Sequence, residues 1–237
     1  MTAAAFASPR AALLGGARDA FGLPAAGLAA TLIGVGAICR EAGWDIWVSM
    51  AGTAIVWAAP AQVLMAELYA TGTAVLVIMA GVAVVNMRFL PMSAALMPHL
   101  AAGGTSKVRL FYAANFIAIL AWAYGMRRCP ILPHDQRVPY FLGFGHTVVA
   151  CGLPATALGY VLAGTLPLGV TLGLVALPPI FFSLVFIEGA KLRRDRLALG
   201  LGAVAGPAAW LVSPEWGLMG AGLVAGSAAF LIDRRMG

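Results

Sequence analysis

Long apolar runs divided by short polar breaks fill this chain almost from end to end. Read at the length of a membrane-crossing helix, about 20 residues, the runs fall at 20–39, 46–70, 73–96, 108–126, 140–163, 168–187, 197–212 and 217–232. The pattern predicts an all-α, polytopic helical membrane bundle of eight spans, with seven as the alternative count, forming one membrane domain over 1–237. The last two runs hold 16 residues each. That is about 24 Å of helix against a hydrocarbon core of about 30 Å, so they must extend into their flanks or dip in as a hairpin.

Composition narrows the class. The chain is 62% hydrophobic and 10% charged, with mean hydropathy +0.92. Soluble domains run about 45–50% apolar and 25% charged. Soluble enzymes, nucleic-acid-binding modules and disordered chains are therefore excluded. Cys39, Cys129 and Cys151 show neither paired spacing nor an even count, which argues against a disulfide or metal framework. No loop between the runs is long enough for a soluble domain, and no phosphate-binding glycine loop is present.

The net charge of +6 reports topology in such a chain. An eight-span path puts Arg10, Arg18, Arg127, Arg128, Arg137, the 191–196 basic cluster, Arg234 and Arg235 on one side. Arg40, Lys107 and Arg109 fall on the other, and Arg88 inside. The positive-inside rule then places both termini in the cytoplasm of a cell whose inner membrane the chain crosses.

Polar groups at depth carry the chemistry, because a charge at the bilayer centre costs about 2.5–3.5 kcal/mol on insertion scales. Arg88 stands near the middle of its run with Asn86 before it and Pro91 after it; in the preceding run Pro60 stands beside Gln62. A proline removes one helical hydrogen bond and frees a carbonyl, so both runs read as broken helices of the sort that line transporter sites. A guanidinium with carboxamide neighbours suits a carboxylate-bearing solute. Arg88, Asn86, Gln62 and Asn115 are the candidate binding residues. Pro60, Pro91, Pro178 and Pro179 are the candidate break or gating points, and Glu67 and His146 the candidate proton-coupling groups. Trp57 and Trp122 stand away from the span ends and are candidates to line a pocket. The chain lacks an intramembrane catalytic pair, a metal-ligand motif and a cofactor motif, which argues against an enzyme. Gly202-x-x-x-Gly206 and Gly222-x-x-x-Gly226 predict close helix contacts. Gly22-Leu23-Pro24-Ala25 recurs as Gly152-Leu153-Pro154-Ala155, an echo compatible with duplicated halves or with chance.

These residues resemble the AzlC family, the large subunit of bacterial branched-chain amino-acid exporters. The resemblance runs through the first span at 21–39 and the Ala59-Pro60-Ala61-Gln62 segment. It continues with Asn86-Met87-Arg88-Phe89-Leu90, Met92-Ser93-Ala94 and Pro98-His99-Leu100, and then with Tyr140-Phe141-Leu142-Gly143 and Leu177-Pro178-Pro179-Ile180-Phe181. It implies export of branched-chain or similar small amino acids, performed with a small AzlD-like membrane subunit and without nucleic acid or cofactor. Two departures stand out: where an acidic pair is usual at the start of the fourth span this chain reads Asn115-Phe116-Ile117, and the tryptophan expected near Cys151-Gly152 is absent. The alternatives are export of another small carboxylate solute, or a non-transporting scaffold whose polar residues only lock helices.

Overall fold

The computed structural model describes residues 5–165, 193–212 and 217–236, together with 167, 169, 170, 172, 173, 176, 180, 183, 184, 187 and 190. The expected breaks at Pro178 and Pro179 lie outside the described residues. All regular structure among them is helical, as expected. The chain divides into two compact units, 1–178 and 179–237.

In the first unit, α1 (Pro9–Ala20) precedes α2 (Leu23–Glu41). Then come α3 (Ile46–Val56), α4 (Ala59–Ala70), α5 (Val75–Asn86), α6 (Phe89–Ala101), α7 (Lys107–Ala114), α8 (Ile119–Arg128) and the long α9 (His134–Ala163). Side chains cap three helices, Ser8 for α1, Asp45 for α3 and Ser106 for α7, each satisfying one orphan N–H. Helices that follow breaks inside the apolar runs have no such cap. Ala58, Arg88 and Ala118 precede α4, α6 and α8 without a capping side chain.

The centre of the unit is the packing of α1 and α2 on α9. A Cβ on Gly36 would collide with the Thr156 carbonyl oxygen, and one on Gly159 with that of Ile33. Gly16 and Gly143 stand in the same relation to Tyr140 and Leu13. Only glycine allows backbones so close, and in lipid such packing holds helices together. Leu32 lies at Gly152, Gly36 at Thr156 and Arg40 at Gly164. Contacts thus advance together along both helices, so α2 and α9 run in the same direction. Tyr140, Phe141 and Phe144 are fully buried in the apolar cluster between α1, α6, α8 and α9.

The eight-span count needs correction, because two of the expected spans fold back on themselves. An uninterrupted helix would hold Trp44 and Tyr69 about 37 Å apart at 1.5 Å per residue. Their rings instead meet edge to face with centroids 6.1 Å apart. The Thr53 hydroxyl donates to Gln62 Oε1 across the break at 2.8 Å. The pair α3–α4 is therefore a hairpin that enters and leaves at one end of the bundle, with its tip at Trp57-Ala58. The run at 108–126 behaves likewise. Arg137 Nη1 donates to the His99 carbonyl at 3.1 Å, and Gly103 packs against His134. Both ends of α7–α8 thus lie where α9 begins, and its tip is Asn115–Ala118.

The physical reason is length. Helices of 12 and 10 residues, such as α4 and α8, rise about 15–18 Å, half of a core of about 30 Å. Hydropathy cannot tell two half-crossings from one whole crossing. Among the described residues, α2 and α9 are long and apolar enough to cross a membrane, and α5–α6 make a third crossing when taken as one, bent by 44°. A crossing followed by a hairpin thus occurs twice, α2 with α3–α4 and α5–α6 with α7–α8, the second in the opposite sense. The Gly-Leu-Pro-Ala echo does not mark this arrangement: Pro24 lies in the first turn of α2 and Pro154 well inside α9.

Labelling single cysteines from each side tests the hairpins. In a cysteine-free background, Ser106→Cys and Asp135→Cys should react with an impermeant maleimide from the same side. Glu41→Cys and Thr71→Cys should react from the opposite one. An eight-span path separates the members of each pair, and that result would refute both hairpins.

The second unit contains α10 (Arg193–Val212) and α11 (Gly217–Met236), which pack against each other. Both are longer than the runs at 197–212 and 217–232 suggested. The expected Gly222 and Gly226 contact shifts by one residue: these glycines are exposed, and Ala221, Ala225 and Ala229 are buried instead.

Candidate functional site

The two hairpin tips approach the middle of α9 from opposite ends. A Cβ on Gly152 would stand 3.1 Å from the Trp57 ring, and one on Gly145 would stand 2.7 Å from Phe116 Cβ. Gly145 and Gly152 are separated by about 10 Å of helix. The third break, Met87-Arg88, reaches the same level. Leu96 packs on Gly125, which lies beside Phe141, and Arg88 precedes Leu96 by eight residues, about 12 Å further toward the middle of α9. Phe116 and Ile117 belong to one buried apolar cluster with Phe144 and Val148, and Trp57, Met92 and Trp122 pack against it. Three interrupted helices therefore gather along the middle of α9, the two tips about 10 Å apart.

Trp57 sits at the first tip with φ 43°, the one left-handed non-glycine residue among those described. Such a conformation costs a bulky residue about 1–3 kcal/mol. The missing side chain at Gly152 leaves room for its ring, which places the indole inside the bundle. Below it, Gln62 is 1% exposed. Its Oε1 accepts from Thr53, and Thr53 Oγ1 lies 3.0 Å from Thr156 Oγ1 on α9. This chain of hydroxyls orients the carboxamide and leaves its Nε2 without a partner. Sequence reasoning missed Thr53 and Thr156. Threonine in an apolar helix usually bonds back to its own turn, and both hydroxyls lie within 3.3 Å of the carbonyl four residues before, so its presence is no signal.

Buried polar atoms without a partner among the described residues are Trp57 Nε1, Gln62 Nε2, Asn86 Oδ1, Arg88 Nε and Trp122 Nε1. Each lies in a break or within five residues of one, and four of the five are hydrogen-bond donors. An unsatisfied buried donor costs about 1–3 kcal/mol, a cost that an acceptor placed among these atoms would relieve. Arg88 is half-buried and its guanidinium lies 5.2 Å from the Phe89 ring centroid. No hydrogen bond joins Arg88 or Asn86 to Gln62 among the described residues, and Gln62 alone of the three is linked to α9, through Thr53.

The other expected residues stand differently. Pro60 lies in the first turn of α4 and Pro91 in that of α6, so each proline opens the helix after the break. Asn115 is exposed at the second tip, and its side chain makes no hydrogen bond to the described residues. At the neighbouring position Phe116 is buried against Gly145 and stacks edge to face on Tyr112 at 5.3 Å. A ring thus fills the place where an acidic group was expected. His146 is exposed; its Nδ1 lies 2.6 Å from the Leu142 carbonyl and its Nε2 2.6 Å from the Tyr112 hydroxyl. A carbonyl only accepts, so Nδ1 carries the proton, and in the neutral ring Nε2 accepts from Tyr112. Glu67 is exposed on the penultimate turn of α4, near the mouth of its hairpin and far from the tip. No group of metal-ligating side chains occurs among the described residues.

No curated protein and no solved structure matches the chain. A family profile described as AzlC protein matches residues 24–166. That stretch runs from the start of α2 to the end of α9 and takes in both hairpins, the bent crossing and every residue of the candidate site. With more than half of its length matched, the chain belongs to the AzlC family.

Proposed function

We propose that this chain is the transporting subunit of an exporter of small amino acids, branched-chain or similar, acting with a small AzlD-like membrane partner in the inner membrane. Family membership supports a membrane transport role. The observation that carries the finer reading is the set of unpartnered buried donors near the middle of α9, where two opposed hairpins approach it. A carboxylate accepts from several donors at once, and the uncapped N-termini of α4 and α6 add favourable dipoles. Arg88 would bind the carboxylate, with Gln62, Asn86, Trp57 and Trp122 completing the polar shell and the surrounding apolar cluster taking the side chain. A scaffold that only locks helices has no reason to leave these donors bare.

The hairpins also supply a means of alternating access, each closing the site from its own side. Charge supports an orientation. Arg10, Arg18, Lys107, Arg109, Arg127, Arg128 and Arg137 all lie toward the end where α9 begins, and Arg40 lies at the other. With Lys107 and Arg109 moved to the basic end, the bias is sharper than the eight-span path allowed. This end would face the cytoplasm. Replacing two crossings by hairpins leaves the parity of the path unchanged, so both termini remain on that side in this proposal. Glu67 and His146 have no part in it.

Binding by the purified complex tests the carboxylate. A branched-chain amino acid should bind at least tenfold more tightly than the amine of the same side chain that lacks the carboxyl group. Equal binding of the two would remove the basis of the proposal.

A further inference from the structure

Where α9 begins, two neighbouring cavities open beside α1. One, of about 450 Å3, is lined by Asp19, Tyr124, Arg127, Arg128 and Ile131. The other, of about 460 Å3, has Leu14, Arg18, Asp19 and Arg128 in its wall. They share Asp19 and Arg128, whose ion pair at 3.1 Å stands between them. The same Asp19 oxygen accepts the Tyr140 hydroxyl at 2.7 Å, and the charge of this carboxylate balances that of Arg128. Arg18 and Arg127 have no ion-pair partner among the described residues; Arg127 lies over the Tyr124 ring at 6.0 Å. Two uncompensated guanidinium groups thus flank a neutral pair. Their planar forks match the oxygens of a phosphate.

The surroundings are amphipathic. Helix α1 buries Ala12, Gly16 and Ala20 on α9, while Leu14 is 68% exposed on one rim and Ile131 is 53% exposed on the other. A short helix with cations beside outward leucines suits the headgroup boundary of a bilayer, and basic pockets between helices at that depth bind lipid headgroups.

We propose that this pair of cavities holds a phosphate group, and the apolar rims favour an anionic phospholipid as its source. The full-length protein in detergent is titrated with phosphatidylglycerol, with phosphatidylcholine and, separately, with inorganic phosphate. Thermal shift and native mass spectrometry give the readouts. Phosphatidylglycerol should bind in preference to phosphatidylcholine, and Arg18→Gln/Arg127→Gln should weaken it at least tenfold. Arg18→Lys/Arg127→Lys should restore most of the binding. Lys107→Gln/Arg109→Gln, which removes the same charge from the same end, should leave it unchanged. The same pattern with inorganic phosphate in place of lipid would keep the site and assign it a soluble ligand. The proposal is overturned if neither ligand distinguishes the variants, or if the Lys107/Arg109 variant loses as much as the Arg18/Arg127 one. None of the four side chains makes a hydrogen bond or ion pair among the described residues, and an unchanged melting temperature without ligand verifies that each variant folds.

Discussion

Arg88→Lys is expected to lower export about thirtyfold or more while the protein still accumulates and binds its partner at normal levels. Lysine keeps the positive charge but loses the planar fork and the Nε donor, which is the buried atom left bare at the break before α6. A hydrogen bond to a charged group contributes about 1.5–3 kcal/mol, and each 1.4 kcal/mol is tenfold in affinity. Losing one such bond and the geometry of a second accounts for the expected factor. Amino-acid efflux from loaded vesicles measures it, with assembly followed in parallel. Wild-type efflux in Arg88→Lys would show that the guanidinium does not hold the solute. Loss of assembly in step with efflux would show that it serves to join helices.

The second large effect concerns stability. Gly36→Leu should destabilise the bundle by about 3 kcal/mol or more, because its Cβ would run into a backbone carbonyl of α9 that no rotamer change can move aside. Gly159→Leu should do the same from the other helix. The control is Gly226→Leu on α11, where no atom stands within 4 Å of the added Cβ; away from packed sites, substitutions usually stay within about 0.5 kcal/mol. Thermal unfolding in detergent measures all three. If Gly36→Leu melts with the control, the close approach of α2 and α9 is not what holds this unit together. The same test would weaken the site, since α9 is the surface against which both tips are placed.

The two predictions draw on parts of the chain that differ in how far they can be read directly. The breaks at Pro60 and Pro91 are legible because proline cannot donate within a helix, and the structure opens a new helix at each. Arg88, Asn86 and Gln62 are legible because polar groups are expensive in lipid. Trp57 and Trp122 stood out by their distance from span ends, and both hold buried indole N–H groups without a partner. The break at Asn115–Ala118 was not legible. It contains no proline and no glycine, and its bend is imposed by Phe116 seating on Gly145 of a distant helix. Thr53 and Thr156 were invisible for a similar reason, since their value lies in meeting across 103 residues of chain. Lys107 and Arg109 were a signal that went unread: two cations on the sparsely charged side of an eight-span path were already a mismatch.

The amino-acid sequence alone determined that this protein lives in a membrane, that it is helical, that its helices are interrupted, and which polar residues stand at depth. Each follows from local chemistry: the cost of water contact, the geometry of proline and the cost of a charge in hydrocarbon. Tertiary structure decided which interrupted runs cross and which turn back, and so which loops share a side. An apolar segment of 25 residues satisfies the bilayer equally as one crossing or as two halves. Glycine contacts along α9 make the choice, and they are visible only once distant helices meet.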